Sequence, residues 1–488
     1  MLLERIAQNA ALRGDAPAYR SASGSLSYAG LWNSACGLAD RLAGGSGPMM
    51  VCGDKEPLLP AAFLGCLLAG RPFLPCDDSA PPERLARIRQ DSGAVTVLAP
   101  RPVAGLSGVQ VLSPEGLAAL AEQSAGCFPI PADDQRDAYW LYTSGSTGRP
   151  KGVRISVAAL ENFVGWMLSL PAVADCADGV TVNQARFSFD LSVADLWPAW
   201  AAGGCVRALS REEQSDLSLL YRCLGESGGS RLTGTPSFLR LCLCDPAFCR
   251  ELLPELKTVF LCGETLPART AARLHRRFPG VRLLNAYGPT EATCAVCAVE
   301  IPPDTAGPLP VGRVSDAACR LLILGPDGRE LPDGEPGEIA LAGPSVGSGY
   351  VGEFAGGFSI REGQPLYCTG DRGEIRDGCL WCAGRIDRQV KYKGYRIEPG
   401  EVEQLLAGWP EVQAAAVLPL TLRDEVLGLA AAVEWAGPPL PAEERAARLK
   451  AALPDYMHPR RWLELDRMPL TPNGKCDWNE LKRRLNDD

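Results

Sequence analysis

The segment AYWLYTSGSTGRPKG, Ala138 to Gly152, joins an apolar, aromatic run to a loop of Ser, Thr and Gly that closes on one lysine. The run predicts a strand, and the loop leaves its end with no helical pattern between them. Open α/β sheets bind ligands in such places, at the carboxyl ends of their strands. Glycines let a backbone approach a ligand closely, while hydroxyls and exposed amides can hold phosphate oxygens. Lys151 adds a mobile cation. The loop is not a Walker P-loop, which needs GxxxxGK[ST]; here Lys151 lies between Pro150 and Gly152, and Pro150 opposes a helix starting inside the loop. A flexible surface loop is the plain alternative, and the loop alone does not decide between the two.

Strand-then-turn patterns recur outward from this point. RLTGTP, LKTVFLCGE and VRLLNAYGPTE predict strands, while LSLLYRCLGES and ARTAARLHRRF predict helices between them. That alternation predicts an α/β fold with a largely parallel sheet. From about residue 309 to 386 the texture becomes short strands split by Gly, Pro and Asp, as in GPDGRELPDGEPGEIALAG, predicting a small β-rich, barrel-like subdomain. After it the chain predicts a small α+β unit: helix EPGEVEQLLAG, strand QAAAVLP, helix PAEERAARLKAAL and a final turn TPNGK. The expected division is therefore a large N-terminal domain, 1–386, built of two α/β subdomains plus the β-rich one, and a small mobile domain, 387–488. No long linker separates them, so Asp387 reads as a hinge.

Composition excludes several functions. At 488 residues the chain is too long for one core. A net charge of −9 argues against nucleic-acid binding through a broad basic surface. The start, MLLERIAQNAALRGDAPAYR, predicts an amphipathic helix rather than a signal peptide, and no apolar run is long enough to insert in a membrane. A soluble, cytoplasmic protein is expected. Nineteen cysteines, an odd number, favour reduced thiols. Cys294–Cys297 and Cys379–Cys382 have CxxC spacing, but both lie in apolar strand-like runs, where cysteine is a small buried hydrophobe. With only His275 and His458, a histidine metal site or a Ser-His-Asp triad is poorly supplied.

Four further stretches carry chemistry. NAYGPTEA, Asn285 to Ala292, sets Tyr287, able to stack on a base, beside Glu291, an oxygen ligand suited to Mg²⁺. YCTGDRG, Tyr367 to Gly373, puts Asp371 in a turn where its carboxylate can accept two ribose hydroxyls. AGRIDRQVKYKGYRIEPGEVE mixes cations and turn glycines where the domains meet, and TPNGKCD places Lys475 at an Asn-Gly turn. Singly, each has a bland reading: a solvated lysine, or a Glu favoured by the dipole of a helix's first turn.

Together, and in this order, they resemble the core motifs of the adenylate-forming superfamily of acyl-CoA synthetases, luciferases and amino-acid adenylation domains, from about residue 15 to residue 480. The resemblance implies an AMP-forming ligase using ATP and Mg²⁺. It makes Thr143, Ser144, Gly145, Ser146, Thr147 and Lys151 the loop around the triphosphate. It sets Asn285, Ala286, Tyr287, Gly288 and Thr290 at the nucleotide, Glu291 on Mg²⁺, and Asp371 with Arg385 at the ribose. Lys475 becomes the lysine that the small domain brings to the reacting carboxylate and α-phosphate, and Asp387 the pivot of that domain. With Glu291 and Thr143, Lys475 forms the implied catalytic set. Two residues depart from the pattern: Cys368 where Arg is frequent, and Cys476 where an aliphatic residue is usual.

ARFSFDLSVADLWPAW resembles the segment of amino-acid-activating members in which an Asp, here Asp190, pairs with the substrate's ammonium group. A helix N-cap is the plain alternative for Asp190. Within the superfamily, TGTPSFLRLCLCDPAF, FLCGETLP and NAYGPTEATCAV are most similar to the D-alanine–D-alanyl carrier protein ligases. There the cysteine before Gly-Glu lies against the substrate side chain and favours a small D-residue; that residue is Cys262, followed by Gly263. Leu191, Ala194, Phe260, Ala286, Cys294 and Ala295 would complete the pocket. Ala194 replaces a frequent Met, so the side chain and enantiomer stay open, since one methylene discriminates only ~10–200-fold. No GGxS-like carrier stretch and no HHxxxDG motif occurs, which implies a freestanding enzyme loading a separate phosphopantetheinylated carrier protein. The alternatives are an adenylation enzyme for another amino acid in nonribosomal peptide synthesis, an acyl-CoA synthetase, for which Asp190 has no use, and a nucleotide sensor, which would not need Lys475.

Overall fold

The computed structural model describes residues 2–124, 129–145, 149–313, 318–352, 356–422, 425–470 and 476–487. Ser146, Thr147 and Lys475 lie outside the described residues. The chain forms two compact units. The first comprises Met1–Asp78, Arg89–Leu141 and Gly152–Ile386; the second comprises Ser79–Ile88, Tyr142–Lys151 and Asp387–Asp488.

The first unit is built on two sheets flanked by helices. In the larger, the strands Arg282–Tyr287, Thr258–Leu261, Gly229–Gly234, Val180–Asn183, Cys205–Ala208 and Pro17–Ser21 run parallel in that spatial order. Thr258–Leu261 is buried at every position, as a parallel strand covered on both faces requires, which is why it reads as an unbroken apolar run. Two of the helices between the strands begin on side-chain caps. Asp216 accepts the amide of Leu219 at 2.9 Å before the helix Leu217–Gly225, and Thr235 accepts that of Phe238 at 3.2 Å before Pro236–Cys242. Each such cap contributes ~1 kcal/mol.

Beyond Arg282–Tyr287 the sheet turns antiparallel, through Cys297–Glu300 and Gly312–Arg313 into the β-rich module, Cys379–Arg385, Gln364–Arg376, Gly337–Ala342 and Arg320–Leu324. The second sheet orders Gly349–Tyr350, Lys151–Ser156, Asp137–Thr143, Phe73–Asp77, Met49–Gly53, Thr96–Ala99 and Val109–Val111. One apolar core joins residues of both, including Phe63 and Phe73, stacked with centroids 4.6 Å apart, and Trp197 edge-on to Trp200 at 5.4 Å.

In the second unit, Val412–Leu422 pairs antiparallel with Glu425–Trp435, and Pro459–Leu465 joins parallel to it. The helices Pro399–Ala407, Ala442–Ala452 and Trp478–Asp487 belong to this unit. A hairpin joins Val390–Tyr392 to Tyr395–Ile397 through Lys393 and Gly394, both at positive φ (51° and 80°), the requirement of a two-residue type I′ turn. Arg84 meets Glu401 at 2.6 Å, an ion pair with both partners buried.

Candidate active site

The parallel strand Arg282–Tyr287 ends at Gly288–Pro289 and runs into a single 3-10 turn, Thr290–Ala292. Thr293 and Cys294 follow at φ 54° and 74°, a left-handed pair of non-glycine residues. For a β-branched threonine this conformation is strained, and it is held by contacts. Thr293 Oγ1 donates to the carbonyl of Ser345 at 2.8 Å, and the Val296 amide returns to the Tyr287 carbonyl at 2.8 Å. The loop is so tight that a side chain at Gly288 would lie 2.5 Å from the Cα of Ala295. Sequence pattern marks the motif; the strain becomes visible only in three dimensions.

This turn gathers most of the anticipated site residues of the first unit. Glu291 is fully buried and accepts the Tyr350 hydroxyl at 2.7 Å, with the Tyr367 hydroxyl 3.2 Å further on. Burial, and next the Glu291 carboxylate, push the Tyr350 phenol far up, so it stays protonated and donates. Tyr287 is buried and donates to Oδ2 of Asp371 at 2.7 Å, while Arg385 binds Oδ1 of the same carboxylate at 2.9 Å. Asp371 and Arg385 face one another across two adjacent strands. Asn285 donates Nδ2 to the Pro310 carbonyl at 2.7 Å, but its buried Oδ1 has no hydrogen-bond partner among the described residues. It is an acceptor suited to an exocyclic amine such as that of adenine. Thr290 Oγ1 donates to Oδ2 of Asp190 at 2.5 Å, tying the two motifs together.

Asp190 opens a 3-10 turn, Asp190–Ser192, that continues into the helix Val193–Ala202. Leu191, Ala194, Phe260, Cys262, Ala286, Cys294 and Ala295 are all buried in one contiguous core cluster. The Cys262 thiol lies 3.8 Å from the Cys294 carbonyl, and Gly263 after it takes φ 93°. The Cys262 thiol and burial, in that order, raise the Cys294 thiol, and the Asp190 carboxylate adds to the shift. Asp190 likewise helps burial hold the Tyr139 phenol up. The Asp190 carboxylate thus bears on the Cys294 thiol and the Tyr139 phenol, both in the apolar cluster that also holds Cys262.

Within the second unit, Thr143 Oγ1 is buried with no partner among the described residues. Ser144 donates to the Arg396 carbonyl at 2.7 Å and accepts the Glu398 amide at 3.1 Å. Asp387 accepts the Gln389 amide at 3.1 Å. Cys368 is half-buried opposite Ala340, and Cys476 is half-buried with its thiol raised by desolvation. Sequence reasoning missed Tyr350, Tyr139, Lys55 and Arg231. Tyr350, Tyr139 and Arg231 bear on Glu291, Asp190 and Ala194 across long stretches of chain, and Lys55 is linked through Asn183 to Asp195.

Residues 6–351 match the model of the AMP-binding enzyme family. The chain is 39% identical to the D-alanine–D-alanyl carrier protein ligase of Bacillus velezensis over 98% of each protein, and 36% identical to that of Bacillus licheniformis over 99% of each. Among solved structures, it is similar in fold to the Vibrio cholerae adenylation domain AlmE in complex with glycyl-adenosine-5′-phosphate. The TM-score is 0.86 at 22% identity, covering 100% of this chain and 98% of the other. No helix of the described residues is long and apolar enough to cross a membrane. A match over most of the chain and relatives of this identity along nearly its whole length give one conclusion: the chain belongs to the AMP-binding enzyme family, as an AMP-forming ligase.

Proposed function

We propose that the chain adenylates D-alanine with ATP, releasing pyrophosphate, and then passes the aminoacyl group to the phosphopantetheine thiol of a separate carrier protein. The observation that carries this reading is the bearing of Asp190 on Cys294, next to Cys262, in a chain so similar to D-alanine–D-alanyl carrier protein ligases. In the first half-reaction a carboxylate oxygen of the amino acid bonds to the α-phosphorus and the bond to pyrophosphate breaks. In the second, the thiol sulfur bonds to the acyl carbon, its proton leaves and AMP departs.

The residues divide the work by charge. Asp190 pairs with the ammonium group, so the substrate enters with its carboxylate turned away from that acid. Asn285, Ala286, Tyr287, Gly288 and Thr290 shape the adenine side, and Asp371, oriented by Tyr287 and Arg385, takes the ribose hydroxyls. Thr143, Ser144, Gly145, Ser146, Thr147 and Lys151 hold the phosphates. The buried hydroxyl of Thr143, without a partner among the described residues, suits that task. A lone buried carboxylate is the usual protein share of a Mg²⁺ site that nucleotide phosphates complete, and Glu291 fits it. When bound, Mg²⁺ neutralises charge that builds up on the phosphates. Lys475 supplies the cation at the reacting carboxylate, and a pivot at Asp387 withdraws it before the thiol arrives. ATP as substrate suits a cytoplasmic enzyme.

Pyrophosphate exchange with a panel of D- and L-amino acids tests the reading. D-Alanine should give the highest kcat/KM, and Asp190→Asn should raise its KM while leaving that of ATP in place. Exchange driven only by acids lacking an amine would overturn it. A second small amino acid as best substrate would instead fit Ala194, which leaves more room than a methionine.

A further inference from the structure

The helix Val193–Ala202 carries Pro198 in its interior. Proline has no amide hydrogen, and its ring pushes away the carbonyl four residues earlier. That carbonyl belongs to Ala194, the helix's contribution to the proposed amino-acid pocket. Its ordinary partner, the amide of residue 198, does not exist. Arg231, on the strand Gly229–Gly234 and wholly buried, points Nη2 at this oxygen from 3.1 Å and lies 3.5 Å from the Asp195 carbonyl.

We propose that Arg231 is a positioning residue for the amino-acid pocket: its guanidinium replaces the hydrogen-bond donor that Pro198 lacks and fixes the turn from Asp190 to Ala194. A buried guanidinium is a costly way to satisfy one carbonyl, and its Nε and Nη1 have no hydrogen-bond partner in the described structure. The surrounding polar set explains how it is tolerated. Asp195, fully buried, is the adjacent counter-charge, and Asn183 binds Asp195 Oδ2 at 2.7 Å. Lys55 in turn binds Asn183 Oδ1 at 2.6 Å and the Ala185 carbonyl at 2.5 Å, beneath Phe187. Buried groups of this kind are justified when they fix one geometry, and here the fixed object is the segment that carries Asp190, Leu191 and Ala194. A plain helix would close its own bond at Ala194. The proline removes that bond and transfers control of the turn to a different strand.

The proposal rests on the reading of residues 190–194 as the amino-acid site, and the test separates the two. Arg231→Met should raise KM for D-alanine by on the order of ten-fold, the size expected when a buried carbonyl loses a charged donor, with KM for ATP unmoved. Hydrogen exchange of amides 191–197 should quicken in the same variant. Adding Pro198→Ala restores an amide donor and should draw both effects back, which a merely structural arginine would not allow. Asp195→Asn/Arg231→Met, which removes both charges, gives the same comparison if the single variant does not fold. Unchanged KM and exchange, absence of rescue by Pro198→Ala, or failure of both variants to fold would each overturn the proposal. If the unaltered protein activated no amino acid, the proposed function would fall instead, and the exchange measurement would still decide the role of Arg231.

Discussion

Tyr350 donates its hydroxyl to Oε1 of Glu291 at 2.7 Å, and Glu291 has no exposed surface. An enclosed carboxylate depends on its donors for both charge and direction, because it has no water to replace them. Tyr350→Phe deletes one donor and preserves the ring, which packs edge-on against Phe358 at 5.0 Å. If Glu291 holds Mg²⁺, the concentration needed for half-maximal pyrophosphate exchange should rise ~10-fold, as for other residues that orient a metal ligand. A Mg²⁺ titration of the variant checks this; an unshifted curve would remove Glu291 from the metal site.

Asp371 has its two oxygens divided between Tyr287 and Arg385. Tyr287→Phe frees Oδ2 to turn, so KM for ATP should rise several-fold while KM for the amino acid stays fixed. The net contribution of such a hydrogen bond, about 1.5–3 kcal/mol when one partner is charged, sets the upper end of that change. Steady-state kinetics with each substrate varied in turn distinguishes this from loss of folded protein, which would lower kcat alone.

These two contacts show which parts of the molecule sequence can disclose. The parallel strands were legible because Thr258–Leu261 and Arg282–Tyr287 are short apolar runs that end abruptly in polar turns, a pattern that is local. Asn285, Tyr287 and Glu291 stand together in sequence for the same reason: the end of one strand and the turn after it carry all three. Tyr350 reaches Glu291 across 59 residues, and Arg231 reaches Ala194 across 37, so nothing near either residue announces its partner. Pro198 was visible, but its consequence was not, since a proline inside a helix names the orphaned carbonyl and not the side chain that satisfies it. The left-handed Thr293 was hidden more deeply. Its threonine gives no propensity signal for that conformation, which packing around Ser345 imposes.

Lys55 should make stability depend on pH. Burial lowers its ammonium from the ordinary 10.5 to about 7, against the pull of Asp54, Asp195 and Asp77. Between those values the unfolded chain holds a proton that the folded chain has released, so stability rises with pH across that window. The slope for one such group is at most ~1.4 kcal/mol per pH unit. Asp195, raised to about 6 chiefly by burial, acts below this range and with the opposite sign, stability falling as pH rises through it. Urea midpoints of the protein and of Lys55→Met should therefore diverge in favour of the unaltered protein from pH 7 upward. A difference constant with pH would mean that the lysine is not desolvated in solution.

Gly145 offers a test of the loop. A methyl group there would collide with the carbonyl oxygen of Arg149, so the close approach of these two residues requires glycine. Gly145→Ala must push Gly145 and Arg149 apart, displacing the neighbouring Thr143 and Ser144. If the loop wraps the triphosphate, KM for ATP should rise at least ~10-fold, the penalty of losing about 1.4 kcal/mol of binding. Ser144 and Gly145 are buried, so the thermal midpoint should fall, and binding is read at a temperature where the variant is folded. Equilibrium binding of ATP, measured without the amino acid, isolates the loop from the chemistry. Undiminished ATP binding in a folded Gly145→Ala protein would mean that this loop does not hold the phosphates.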